Sequence, residues 1–201
     1  MDRGLVAWAR RVKRQSKRCG DKYTAPLWFF TDDQRLPDPI PVIRALPPGL
    51  SGVLLRHDAH PDRPALATAI ARLCRRRGIA LIIAGDARLA RNLHAGLHLR
   101  GGAGGRPHGW SGGVLSASVH NIKQLRQAQR AKVALVFISP VFVTASHPGA
   151  ATLGEAGWRR LAKQAGGRTK PCALGGISSR NMRSLGPLCV GVGAIEAFFK
   201  P

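Results

Sequence analysis

Eight short apolar runs, each followed by polar or helix-like sequence, recur along this 201-residue chain and restrict its fold more than any other feature. They occupy residues 27–31, 52–57, 80–84, 96–99, 114–118, 133–138, 171–174 and 189–192. Most are apolar at successive positions instead of alternating, the pattern of parallel strands covered on both faces. Helical periodicity lies between them, over residues 63–77, 86–94, 122–130, 153–165 and 179–185. Strand-then-helix units in this number predict an α/β protein, a single parallel (β/α)8 TIM-type barrel with abbreviated helices. Residues 100–113 carry seven Gly and one Pro and are expected to form an irregular loop where the fourth helix would stand.

Ahead of the first run, residues 1–25 hold eight Lys or Arg, and Leu5, Trp8, Ala9 and Val12 fall at i, i+3, i+4 and i+7. That spacing predicts a short basic amphipathic helix whose apolar stripe folds onto the domain. The chain is therefore divided into a basic N-terminal helix or extension, 1–24, and a barrel, 25–201. No apolar run approaches the ~18 residues of a membrane span, and no secretory signal is visible. Cys19, Cys74, Cys172 and Cys189 are widely spaced, with no CxxC, which argues against a zinc site or a disulfide framework and for a cytoplasmic protein. Cys172 and Cys189 sit in apolar runs and read as small core residues.

Against 32 Lys plus Arg stand only 10 Asp plus Glu, a net charge of +22 that makes polyanions the obvious partners. Few aromatics, no nucleic-acid-binding signature and the scatter of basic residues over many segments argue against nucleic acid and for phosphorylated small molecules. Whether the chain forms a homo-oligomer stays open.

In a barrel, function concentrates where strands end. The stretch SPVFVTASHPGAATLG, 139–154, then becomes the loop after the sixth strand, long because it works. ALGGIS (173–178) ends the seventh strand with paired glycines, and VGVGAIEA (190–197) ends the eighth and enters the last helix. Glycine lets backbone amides approach an anion, and barrels frequently hold a phosphate on these two loops.

The order of these motifs, from SASVHNIKQLRQ through PVFVTASHPGAATLGEAGW to KPCALGGISSRNM and GVGAIEAFF, resembles the thiamine phosphate synthase/TenI family over roughly residues 114–199. Weaker echoes are LWFFTDDQRL (27–36), LLRH (54–57), LIIAGDARLA (81–90) and GLHL (96–99). The resemblance implies an enzyme binding a phosphorylated thiazole: a synthase that joins it to a pyrimidine pyrophosphate, or a TenI-type thiazole tautomerase. It implies a phosphate held on the amides of Gly175, Gly176, Gly193 and Ala194. Thr144, Ser146 and His147 correspond to the family's Pro-Thr-x-Thr-Lys loop, with His147 where Lys is expected. Arg56 alone survives of the second-strand Gln-x-Arg-x-Lys. The third-strand Asn-Asp reads Ala84 and Gly85, with Asp86 one place later, and HLRGGAGG holds no carboxylate. No metal ligands are therefore assigned, and Mg²⁺ is expected only where the synthase reaction is retained. His120, with Ser118 two residues before it on the same strand face, matches the tautomerase's SVH motif and is the candidate acid–base.

Further readings are kept beside this one: a non-catalytic phosphate-binding barrel, and a basic protein whose N-terminal helix docks on nucleic acid or anionic lipid. His57 and His98 fall near strand ends with no role assigned, and His60, His94 and His108 read as loop or helix residues. A zinc site from three such histidines is disfavoured, since no HxH or HExxH pair supports it. Asp32, Asp33 and Asp58 are the carboxylates available to replace missing ligands.

Overall fold

A computed structural model describes residues 2–18, 25–100, 105–144, 149 and 151–198. Eight parallel strands close into a barrel in chain order: β1 (Leu27–Phe30), β2 (Ser51–Leu55), β3 (Ala80–Ala84), β4 (Gly96–Leu99), β5 (Leu115–Val119), β6 (Leu135–Ile138), β7 (Lys170–Leu174) and β8 (Gly191–Ala194). β8 closes on β1 with Leu27 opposite Val192 and Phe29 opposite Ala194. The helices are α1 (Arg3–Arg18), α2 (Ile40–Ala45), α3 (Arg63–Arg77), α4 (Ala87–Asn92), α5 (Ile122–Arg130) and α6 (Gly154–Ala165).

Local chemistry accounts for the helix starts. Asp62, Asp86 and Asn121 accept from the backbone N–H three residues on, satisfying donors that the first turn leaves unpaired. α3 stops at Gly78, whose φ of 61° is the left-handed cap that glycine adopts without strain. Residues 105–114 contain no helix, as their glycines predict.

Several elements differ from the sequence reading. β2 ends at Leu55, so Arg56 and His57 begin the loop at the barrel mouth. β8 lies two residues later than expected, because Gly191 and Gly193 read as loop but pack against Cys172 and Phe30. Only a 3-10 helix, Met182–Leu185, stands between β7 and β8, and α2 was not expected at all. Prolines at 37, 39, 41, 47 and 48 hide its periodicity.

Two apolar layers result. Outside the strands, Phe29, Leu55, Ile83, Val119, Ile138 and Val192 pack under the helices. Inside, Trp28, Phe30, Leu54, Ile82, Phe137 and Cys172 fill the barrel. Phe30 and Phe137 meet edge to face at 4.8 Å, so the interior is a packed core closed beneath the mouth. α1 adds Leu5, Trp8 and Ala9 to the outer layer, with Val12 partly buried. Its start is tied to the turn after β7, where Asp2 accepts from the Ser179 N–H at 2.9 Å. Burial pushes the Cys74 and Cys189 thiols up to about 12, and Cys172 well upward, which keeps all three as inert core groups. Cys19 lies outside the described residues. Among the described residues no helix is long and apolar enough to cross a membrane.

Candidate functional site

A cavity of about 730 Å³ opens at the C-terminal ends of the strands, floored by Phe30 and Leu174. It gathers six predicted site residues from separate elements: Arg56 after β2, His120 after β5, Thr144 after β6, Gly175 and Gly176 after β7, and Ala194 at the end of β8. An adjoining cavity of about 560 Å³ shares Arg56 and His120 and extends over the ends of β3 and β4.

The β6 loop is laced to the end of β7. Val141 N–H donates to the Leu174 carbonyl at 3.0 Å and Phe142 N–H to the Gly175 carbonyl at 3.1 Å. This brings Thr144 beside the paired glycines: a Cβ on Gly175 would lie 3.3 Å from Thr144 Cγ2. Gly176 has φ of +65°, and a Cβ there would fall 2.5 Å from the Val143 carbonyl oxygen, so only glycine fits. Neither amide of this pair makes a hydrogen bond among the described residues. The buried Thr144 Oγ1 also lacks a partner among them. All three residues line the same cavity.

Gly193 is not in the cavity wall. It lies inside β8, where a Cβ would come 2.7 Å from the Phe30 ring, and its lack of a side chain makes room for the cavity floor. Ser118 lines the adjoining cavity instead. Ser146 and His147 lie outside the described residues.

His120 has one ring nitrogen committed. Nδ1 sits 2.7 Å from the Ser139 carbonyl oxygen, which can only accept, so Nδ1 carries a proton and in the neutral imidazole the lone pair belongs to Nε2. Its backbone N–H donates to Gln124 Oε1 at 2.7 Å, which holds the strand end over the first turn of α5. A neutral imidazole with a fixed tautomer on a cavity wall is a ready proton acceptor.

Arg56 donates from Nε to the Thr31 carbonyl at 2.8 Å and from Nη2 to Asp32 Oδ2 at 3.2 Å, with its guanidinium carbon 5.7 Å from the Phe30 ring centre. Burial draws its pKa down, opposed chiefly by the Asp32 carboxylate. The two histidines without an assigned role have structural partners. His57 is fully buried, with Nδ1 2.9 Å from Thr31 Oγ1 and Nε2 3.2 Å from the Leu36 and Pro37 carbonyls. Nε2 therefore donates, and the ring pins the loop after β1.

His98 points into the barrel from β4, with Nδ1 2.9 Å from Ser116 Oγ and Nε2 3.0 Å from Ser118 Oγ. Burial, assisted by the positive charges of Arg56 and Arg100, pulls its pKa down to about 3. Ser116 is fully buried and among the described residues makes no side-chain hydrogen bond but this one, so its hydroxyl hydrogen goes to His98 Nδ1. His98 then donates from Nε2 to Ser118, whose own hydrogen is left to face the cavity.

The carboxylates around the mouth are held by guanidinium groups. Asp32 pairs with Arg56 at 3.2 Å and Arg35 at 4.0 Å. Arg63 bridges Asp58 at 3.2 Å and Asp86 at 3.6 Å while donating to the Ala84 carbonyl at 2.7 Å, and Asp58 also pairs with Arg100. Arg100 crosses Gly85 closely, since a Cβ on Gly85 would be 2.8 Å from its Nε. Sequence reasoning missed Arg63 and Arg100. Arg100 directly follows a strand, which was a usable signal; Arg63 reads as an ordinary helix-start residue. Ser139 was also missed, because its contribution is a backbone carbonyl.

Comparison with known proteins agrees with the barrel fold. No curated protein matches the chain. A Pyrococcus furiosus thiamine phosphate pyrophosphorylase superimposes with a TM-score of 0.70 at 21% identity, covering 86% of each chain. A thiamine phosphate pyrophosphorylase from Bacteroides thetaiotaomicron gives 0.57 at 19% identity, over 87% of this chain and 84% of the other. An HpcH/HpaI aldolase from Desulfitobacterium hafniense gives 0.58 at 10% identity over 92% and 91%, a likeness of fold alone. The thiamine monophosphate synthase family model matches residues 28–195, from the first strand to the end of the last, and the chain belongs to that family.

Proposed function

We propose that the protein is a thiazole-phosphate tautomerase of the TenI type, with His120 as its acid–base and no metal in the reaction. The observation that carries this reading is the fixed tautomer of His120, whose Nε2 lone pair is left for a ligand in the cavity shared with Arg56, Thr144 and Gly175. The substrate phosphate rests on the amides of Gly175 and Gly176 and on the Thr144 hydroxyl, donors that otherwise lack partners among the described residues, at the end of β8 where Ala194 stands. Ser146 and His147 belong to the same lid in this reading. Arg56, held by Asp32, places positive charge beside a carboxylated heterocycle without rotating away. Ser118 offers its hydroxyl hydrogen from the neighbouring wall.

Nε2 of His120 accepts a proton from one ring position of the thiazole, and the bonding pair left behind is taken into the heterocycle. The imidazolium then returns the proton at a second ring position. Atoms and charge balance with no co-reactant, and Nδ1 stays hydrogen-bonded to Ser139 throughout, so the ring does not turn between the two transfers.

The synthase reaction of the same family requires Mg²⁺, and the residues at this mouth do not suit it. A hard cation takes several carboxylate or carbonyl oxygens. Here Asp86 caps α4 through the Leu89 N–H at 2.8 Å and faces Arg63, and Asp58 is held by Arg63 and Arg100. Among the described residues no three His, Cys, Asp or Glu side chains come together as a metal site.

The test is proton exchange on carboxythiazole phosphate followed by NMR. Conversion is expected without added metal, unchanged by EDTA and reduced about 10²-fold or more in His120→Ala. Thiamine phosphate formed only with Mg²⁺ and pyrimidine pyrophosphate would replace this reading by the synthase. Tight binding with no turnover would leave a non-catalytic barrel.

A further inference from the structure

The ten acidic residues are sorted in space. Seven of them lie in the segments that follow strands, on the side of the mouth: Asp32, Asp33, Asp38, Asp58, Asp62 and Asp86 on loops and Glu196 at the start of a short 3-10 helix, Glu196–Phe198. The six α-helices, by contrast, contain 21 Lys or Arg and a single acidic residue, Glu155. The scatter of basic residues along the sequence, which argued against nucleic acid, is undone by the fold. α5 packs on α6, α6 packs on the 3-10 helix, and that helix shares a groove with α1. These four elements and their turns make one wall carrying 15 exposed Lys or Arg: three from α5 and three from α6, Lys132 and Arg168 in the turns after them, Arg180 and Arg183 at the 3-10 helix and five from α1. Packed helices stand about 8–10 Å apart, close to the Debye length of about 8 Å at physiological salt, so the fields of neighbouring rows add.

We propose that this wall, α5, α6, the 3-10 helix and α1, binds double-stranded nucleic acid through its backbone phosphates, without reading bases and with the barrel mouth left open. Regularly spaced phosphates complement rows of guanidinium groups on a convex surface. Base stacking on single strands needs exposed aromatic rings. All four Trp are buried, and the exposed large apolar residues among those described are only Val143, on the mouth, and Leu188. The same lack of apolar side chains disfavours a lipid surface, where charge alone is supplemented by apolar insertion.

The experiment is fluorescence anisotropy of the full chain with a labelled mixed-sequence duplex of about 24 base pairs at 0.15 M salt. The expected Kd is about 10 μM or tighter, within the usual non-specific range, with log K falling against log salt at a slope of about −5 or steeper. Replacing Arg126, Arg130, Arg160 and Lys163 by Gln, all exposed on α5 and α6, should weaken binding at least 10-fold and flatten the slope by about 3. The same charge removed from Arg44, Arg72, Arg76 and Arg88, on α2, α3 and α4, should change it less than 2-fold. Circular dichroism melting of both variants checks that the helices remain. Equal weakening by the two variants would reduce the effect to bulk charge and overturn the proposal. So would tighter binding of the corresponding single strand, or binding to phosphatidylserine vesicles with none to the duplex.

Discussion

Acidification should reveal His98 as a group that the barrel keeps neutral. Its folded-state pKa of about 3 lies well below the 6.5 of an unfolded imidazole, chiefly because it is desolvated between β4 and β5. Above pH 6.5 neither state binds the proton and His98 contributes no pH dependence. Below 6.5 the unfolded chain takes up a proton that the folded chain refuses, so stability is lost as pH falls, at up to about 1.4 kcal/mol per pH unit. From pH 7.5 to pH 4.5 the loss from this residue alone is about 3 kcal/mol, most of it below pH 6.5, and it continues until the folded state protonates near pH 3. His98→Gln keeps a polar group between the two serines and removes the titration. Urea unfolding of both proteins between pH 7.5 and 4.5, at matched ionic strength, gives the comparison. The other groups are common to both proteins and cancel in the difference. The wild type should lose about 3 kcal/mol more than the variant, with the divergence beginning near pH 6.5. Parallel stability curves would show that His98 is protonated in the folded state, and the donor assignment for Ser118 would fall with it.

Gly176→Ala places a Cβ at φ of +65° and 2.5 Å from the Val143 carbonyl, a backbone atom that cannot step aside. A loss of about 3 kcal/mol and a Tm lower by about 6–12 °C are expected, with thiazole-phosphate binding lost at temperatures where the fold survives. Arg63→Ala strips the Ala84 carbonyl of its donor and leaves Asp86 without its guanidinium, so chemical denaturation should show a loss of about 2–3 kcal/mol. Arg63→Lys should restore little of it, since one ammonium cannot reproduce a fork that reaches two carboxylates and a carbonyl.

The barrel was legible because its signal is local. A buried parallel strand is apolar at nearly every position, and ALIIA or LVFI announces itself without reference to anything else in the chain. Helix limits were legible for the same reason where Asp62 or Asn121 caps one end and a basic last turn closes the other. Gly175 and Gly176 stand in the cavity wall, whereas Gly193 lies under its floor. The letter is the same, but a positive φ beside a carbonyl and a missing side chain under a phenyl ring are distinguished only by what comes from β1 and β6. The arginine pairs escaped altogether. Arg63 lies five residues from Asp58 but 23 from Asp86, and Arg100 is 42 from Asp58, so nothing in the spacing connects them. Closure of the sheet makes those separations short, and it does so on one rim. Carboxylates that look available in the sequence become half of ion pairs, while most of the remaining basic residues lie on the outer helices. The charge asymmetry and the scarcity of uncommitted oxygen ligands thus have one cause: the few acidic residues this chain has are concentrated where strands end, and arginines from β2, α3 and β4 meet them there.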